Sequence, residues 1–477
     1  QEFLQAPDPA PRPVGWQAVE GSFRDPSGFV YSRDGTLYRQ INTSFRQSFE
    51  AFLASGLYDE LVRDGLLVPH EQVGLELAAT NDACAVIRPQ RIAFISYPYE
   101  WSFGQLQDAA SLTLEIQERA LARGFTLRDS SAYNVQFQGG RPVLIDTLSL
   151  EPLEEGKAWV AYKQFCEQFL LPLTLMSVRD VRCSTLLRSY LDGIPLDLGS
   201  RLLPRRTWLS PSSLLHIHLH ALAQSRYAGS AVSSAAKGRT MSRKGLQTLV
   251  KNLGAAVRGL SWRPAGTEWA DYTTDNNYSE TAARSKRNLV VTHLRDSRPG
   301  TVWDLGANTG EYSRAAREAA GLVVSFDIDP AAVERNYRRI RAEGETGILP
   351  LLLDLTNPSP AQGWAGRERL SVEERGPADA VLALALIHHL AIGHNLPLER
   401  VASYLVRLGK VLIIEFVPKS DAQVTRLLLS RPDIFPGYTK EGFEKAFSRY
   451  FSIQAAAQIE DSERWLYCMS ASPQAAA

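Results

Sequence analysis

The sequence predicts an α/β fold in its C-terminal half, a parallel sheet with helices on both faces, preceded by an α+β region. Three observations predict it. After about residue 265, short continuous apolar runs alternate with helix-like segments. A glycine-bearing loop, Asp304-Leu-Gly-Ala-Asn-Thr-Gly310, follows the first of those runs. The N-terminal half instead mixes a hairpin pattern with amphipathic helices. Continuous apolar strands fit a sheet buried on both faces, and strands that alternate with helices fit parallel crossovers.

Taken in order, residues 1–20 are proline-rich and expected to be irregular. GFVYSRDGTLYRQI (28–41) reads as two β-rich runs joined through Arg-Asp-Gly, a hairpin. FRQSFEAFLASGLYDELVRDG reads as helix, and SLTLEIQERALARG as an amphipathic helix with a glycine stop. A second hairpin is expected around Gly139-Gly140. From Leu198 to Thr267 there is no Asp or Glu but there are eleven Lys or Arg. Within that stretch, 230–242 reads as a flexible linker. The apolar positions Leu246, Leu249, Leu253, Val257 and Leu260 then recur at helical spacing, and this helix is expected to pack on the C-terminal domain. The expected organisation is an irregular segment (1–20), an α+β domain (21–225), a basic linker and helix (226–264) and the α/β domain (265–477).

In the α/β domain TVWDLG, LVVSFDID, ILPLLLDL, ADAVLALAL and KVLIIEFV are the strands. EYSRAAREAAG and PAAVERNYRRIRAEG are helices; Asp329 caps the second and Pro330 opens it. FPGYTKEGFEKAFSRYF is a late helix before a last hairpin, with Tyr438 at the edge of a substrate site.

Composition bounds the function. The chain has 477 residues, 44% of them hydrophobic, enough for two or three cores. Lys+Arg and Asp+Glu are both 52, which argues against a nucleic-acid partner, since phosphate contacts need a basic excess. The four cysteines have no CxxC spacing, so neither a disulfide framework nor a metal site is expected. The opening QEFLQAPDPAPRPVGW has no basic or apolar leader, and no apolar run reaches the ~18 residues of a membrane span. A cytoplasmic enzyme with no membrane partner is expected.

The glycine loop carries the chemistry. Gly306 and Gly310 let the backbone turn sharply against a ligand. A dinucleotide fingerprint would place a second glycine where Asn308 stands, and no phosphate loop is present. The loop therefore suits a nucleoside without a diphosphate, although a nicotinamide cofactor stays as an alternative. Asp327, 23 residues after Asp304, ends the second strand, where a carboxylate accepts ribose hydroxyls. Asp354 ends the third strand, where it can accept from an adenine amino group or simply brace a turn. His388 and His389 follow the fourth strand and are the candidate general bases, His389 the favoured one.

These motifs resemble class I S-adenosylmethionine-dependent methyltransferases over about 300–455. The resemblance implies a Rossmann-like fold with S-adenosyl-L-methionine as cofactor. It implies that Gly306, Asn308 and Gly310 wrap the methionine moiety, that Asp304 holds its amino group directly or through water, that Asp327 holds the ribose with Asp354 on the adenine side, and that Ala307, Tyr312, Ile328 and Leu355 also bind the cofactor. TEWADYTTDNNYSETAARSKRN resembles the lead-in that closes over the cofactor, with Tyr272, Tyr278 and Lys286 as candidates there. The implied reaction is methyl transfer to an oxygen or nitrogen of a small molecule. RNA or protein methylation, with the N-terminal domain as recognition module, is the alternative. The segments LALALIHHL and ISYPYEW also resemble bacterial nodulation-type methyltransferases and suggest specialised metabolism.

Between 128 and 147 the N-terminal domain resembles the catalytic loop of protein-kinase-like folds. Arg128-Asp129 is followed by Asn134, then by Val143-Leu-Ile-Asp146. Asp129, Asn134 and Asp146 would position an acceptor hydroxyl and bind magnesium. Leu127 replaces the usual histidine and Thr147-Leu148 the residues after the last Asp. Arg39 or Arg88 stands where a strand lysine is expected. A vestigial nucleotide and magnesium site, an active phosphotransferase and a purely structural turn are the three readings.

Overall fold

The computed structural model describes residues 15–227, 240–265, 279–429 and 431–472. The N-terminal sheet holds β1 (Trp16–Ala18), β2 (Gly28–Arg33), β3 (Thr36–Asn42), β4 (His70–Val73) and β5 (Ala83–Pro89). Its order is β1-β2-β3-β5-β4, all neighbours antiparallel. The expected hairpin is β2–β3, turning at Asp34 and Gly35, both at positive φ. The single helix expected at 45–65 is two, Arg46–Ala54 and Leu57–Arg63. Gly56, at φ 72°, breaks them, and this lets Phe52, Leu57 and Leu61 all turn inward.

The amphipathic helix begins eight residues before the expected start, at Phe103, and runs to Ala122. Ser102 accepts from the Gln105 backbone, and the Gln105 side chain accepts from the Ser102 backbone N–H. This reciprocal cap sets the true start. Short strands follow: β6 (Phe125–Leu127), β7 (Val135–Gln138), β8 (Arg141–Leu144) and β9 (Leu150–Pro152). β7–β8 is the hairpin expected at Gly139-Gly140.

The second sheet holds β10 (Thr301–Leu305), β11 (Leu322–Asp327), β12 (Ile348–Leu352), β13 (Ala378–Ala383), β14 (Gly409–Phe416), β15 (Phe451–Gln458) and β16 (Trp465–Ala471). The order is β12-β11-β10-β13-β14-β16-β15. The first five strands are parallel, and β16 runs antiparallel between β14 and β15. The order reverses at β10, so the crevice between the β10 and β13 carboxyl ends is the switch point where such sheets bind ligands. The helix Pro330–Glu343 opens on the expected Asp329 cap and closes on Gly344 at φ 67°.

Two expectations are corrected by packing. The helix expected at 246–260 runs from Arg243 to Gly259 and lies on the Phe103–Ala122 helix, not on the C-terminal sheet. Leu246, Val250, Leu253 and Val257 are buried there, and Gln107 donates to the Val257 and Leu260 carbonyls at 2.8 and 2.9 Å. The two halves also share their largest core, although smaller clusters stay within each. One apolar cluster contains Trp101, Leu106 and Phe137 together with Trp303, Phe326 and Tyr337. Phe94 meets Trp303 and Phe326 edge-on, at 5.7 and 6.0 Å between ring centres. The Arg375 guanidinium grips the Glu100 carboxylate through two bonds of 2.8 and 2.5 Å, with both side chains almost fully buried. Gly104 N–H donates to Glu334 (2.8 Å) and the Tyr337 hydroxyl to Asp108 (2.6 Å), tying the Phe103–Ala122 helix to Pro330–Glu343.

Candidate active site

The loop after β10 is fixed by its backbone. The N–H groups of Gly306 and Ala307 donate to the Phe326 carbonyl at 2.8 and 2.9 Å, which holds the loop against the end of β11. Gly306 and Gly310 stand at φ 75° and 81°, and a Cβ on Gly310 would meet the Asn336 side chain at 2.5 Å. Asn308 is also left-handed, at φ 49°, a conformation asparagine tolerates, and its side-chain oxygen accepts from the Thr309 N–H. The loop thus keeps a dinucleotide-like turn with an asparagine side chain in place of the open second glycine.

Three strand-end acids sit around it. Asp304 is buried within β10 and accepts from the Ser313 hydroxyl at 2.6 Å, which in turn accepts from Ser325. Asp327 ends β11, and its two oxygens accept from the Asn308 and Asp329 N–H groups at 2.7 and 2.8 Å. Burial pushes both carboxyls up to about 6, against hydrogen bonds that pull the other way. Asp354 lies just past β12, and one of its oxygens accepts from the Thr356 N–H and hydroxyl at 2.8 and 2.6 Å, bracing a turn. Ile328 is 52% exposed beside Asp327, and Leu355 is half-buried against the main core. Tyr272 and Tyr278 lie outside the described residues.

Lys286, on the helix Glu280–Ser297, is buried with its ammonium 2.7 Å from Glu415 and 4.7 Å from the Tyr312 ring centre. Glu415 was not among the expected site residues. It is fully buried near the end of β14, accepts from the Ala385 N–H at 2.8 Å and also faces Arg464 at 3.4 Å. The Arg464 guanidinium reaches on to Asp421. The available signal was an acid interrupting the otherwise apolar run KVLIIEFV, costly unless paired. Tyr438 is buried and donates to the Val417 carbonyl, so its hydroxyl is engaged by the fold.

His388 and His389 leave β13 with their rings 4.0 Å apart. Burial pulls His389 down to about 4, and burial holds His388 well below the ordinary histidine value. Both are therefore neutral at pH 7, and their burial disfavours the protonated form. His388 is fully buried with neither ring nitrogen hydrogen-bonded; His389 keeps some exposure.

The three residues expected at a kinase-like site are held by local contacts. Asp129 accepts from the Ser131 N–H and the Gln164 amide, each at 2.8 Å. Asp146 accepts from the Leu148 N–H and the Ser149 hydroxyl, and Asn134 donates to Ser149. Arg39, on β3, places its guanidinium 2.7 Å from Asp146. Arg88 pairs with Glu71 on the surface instead. No group of three or more His, Cys, Asp or Glu among the described residues is arranged to hold a metal.

Among curated proteins, nodulation protein NoeA of Rhizobium meliloti (strain 1021) is 38% identical over 464 residues, 96% of each chain. The chain belongs to the NoeA family of nodulation proteins. No protein-family profile matches it. Among solved structures, the N-methyltransferase NodS of Bradyrhizobium japonicum WM9 is 12% identical, covering 40% of this chain and 98% of its own (TM-score 0.29). Magnesium protoporphyrin IX methyltransferase (ChlM) of Synechocystis PCC 6803, with bound S-adenosylhomocysteine, is 17% identical, covering 43% and 96% (TM-score 0.30). No helix among the described residues of this family member is long and apolar enough to cross a membrane.

Proposed function

We propose that this chain transfers a methyl group from S-adenosylmethionine to an oxygen or nitrogen of a small molecule, in bacterial specialised metabolism. One observation carries the reading: two buried acids, Asp304 and Asp327, end adjacent strands on either side of a left-handed glycine loop at the sheet's switch point. The residues present fit that cofactor. Asp304 offers a carboxylate to an α-ammonium group, and Asp327 offers one to two ribose hydroxyls. Asp354 makes its turn contacts through one oxygen, which leaves the other for the adenine side. Asn308 stands where a diphosphate would have to approach, and Lys286 with Tyr312 walls the methionine side. When bound, the cofactor supplies an electrophilic sulfonium methyl. The protein's part is alignment of the acceptor and removal of its proton. His389, partly exposed on the helical turn that follows β13, takes the proton, which turns acidic as the acceptor gains the methyl; His388 packs behind it.

Titration calorimetry with S-adenosylmethionine and S-adenosylhomocysteine tests the reading. Binding of both is expected, and folded protein that binds neither overturns it. His389→Ala is expected to lower turnover about 100-fold with cofactor affinity unchanged. Equal turnover would remove the base role.

The N-terminal half we read as a scaffold for the transferase. Arg39 sets a permanent positive charge against Asp146, the position at which a magnesium ion would have to sit. Magnesium with ATP is expected to leave the melting temperature unchanged. Asp146→Ala is expected to lower stability by about 1–3 kcal/mol, because Arg39 loses its partner. A magnesium- and ATP-dependent rise in melting temperature, lost in Asp146→Ala, would show a working nucleotide site instead.

A further inference from the structure

The acid-free stretch that follows Asp197 builds a surface the transferase reading does not use. The helix Leu196–Leu202, the turn at 205–210 and the helical run from Pro211 onward form one unit around the buried His218. Ser200 and Thr207 both hydrogen-bond its ring, at 2.7 and 2.9 Å, and Trp208 stacks on it at 4.3 Å. The inner side of the run is thereby filled by His216, Ile217 and His218. Its outer side is apolar and exposed. Leu215 and Leu219, one helical turn apart, are 52% and 46% exposed, and Leu209 just before them is 87% exposed. Trp208 and Leu202 add 40% and 37%. Single exposed leucines are ordinary; five large apolar side chains presented by three packed segments are a patch.

The charge within the turn that carries Leu209 is basic. Arg205 and Arg206 are exposed within the turn that carries Leu209. Arg201 is exposed too, and Asp197, which it pairs with, is the last acid before residue 268. We propose that this face docks the protein on an anionic membrane surface, the leucines and Trp208 entering the headgroup–acyl boundary and Arg205 and Arg206 meeting lipid phosphates. Leucine and tryptophan beside arginine is the composition of an interfacial surface, and arginines are drawn to an anionic leaflet. The association is peripheral and spans nothing. It departs from the expectation of no membrane partner, which rested on the lack of a spanning run.

Co-sedimentation of the full chain with vesicles of phosphatidylcholine alone, or with 30% phosphatidylserine, tests it. Binding to the anionic vesicles is expected to be at least tenfold tighter than to the neutral ones and to weaken in 0.5 M salt. Leu209→Glu/Leu215→Glu/Leu219→Glu is expected to abolish it, and Arg205→Glu/Arg206→Glu to weaken it about tenfold. Both variants should keep the circular dichroism spectrum and the melting temperature. No binding to either vesicle by folded wild-type chain overturns the proposal. So does equal binding by the triple variant, or a wild-type dimer in sedimentation velocity that the triple variant makes monomeric.

Discussion

Arg375→Ala is expected to lower the unfolding free energy by about 3–5 kcal/mol, the cost of leaving a buried partner charge uncompensated. The partner is Glu100, whose carboxylate receives both arms of the guanidinium and the Tyr97 N–H as well. Arg375 also lies over the rings of Phe94 and Tyr97, at 5.0 and 4.8 Å, so truncation opens space between the two halves. Thermal unfolding of the wild type should show one transition, because the main core is continuous through both halves. The variant should still unfold in one step, at a lower temperature. Two resolved transitions in the wild type would mean that the halves are held only by surface contacts. Glu100→Gln with Arg375→Met, which removes both charges, should recover much of the loss.

Asp327→Ala is expected to weaken S-adenosylmethionine binding by about 1–3 kcal/mol, roughly 5- to 150-fold, by leaving ribose hydroxyls unpaired. The fold should tolerate it less well than a surface change, since the Asn308 and Asp329 N–H groups lose their acceptor. Cofactor affinity should also depend on pH. The Asp304 and Asp327 carboxyls are raised to about 6, so below that value they hold protons and offer no charge to an ammonium or a ribose. Affinity measured by calorimetry should therefore rise from pH 5 to 7 and level off above. For each acid the loss approaches about tenfold per unit below 6. Asp304→Asn should bind weakly and with a shallower pH dependence. An affinity independent of pH between 5 and 7 would show that neither carboxylate carries its charge to the ligand.

Much of this was legible because local rules and the global fold agree in the C-terminal half. The apolar runs are the strands, Asp329-Pro330 does begin a helix, and the Asp304–Gly310 loop does follow a strand. What depends on distant partners was not legible. The start of the long helix at Phe103 is set by a reciprocal Ser102–Gln105 cap that the apolar periodicity does not reveal. The Arg243–Gly259 helix presents an apolar stripe that would suit either half, and only the three-dimensional packing assigns it to the Phe103–Ala122 helix. Glu415 was passed over because its reason for being buried is supplied from far along the chain, by Lys286 and Arg464. Arg39 and Asp146 are 107 positions apart, yet they meet at 2.7 Å.

The ring contacts of Phe94 with Trp303 and Phe326 decide how this protein can be cut. A fragment starting near residue 265 would keep every strand of the larger sheet but leave the Trp303 indole and the Phe326 ring without their cover, along with Tyr337. It should come out of expression as insoluble material, and restoring residues 15–264 in trans should rescue little of it. Swapping transferase halves between relatives would meet the same obstacle unless the aromatic seam travels with them.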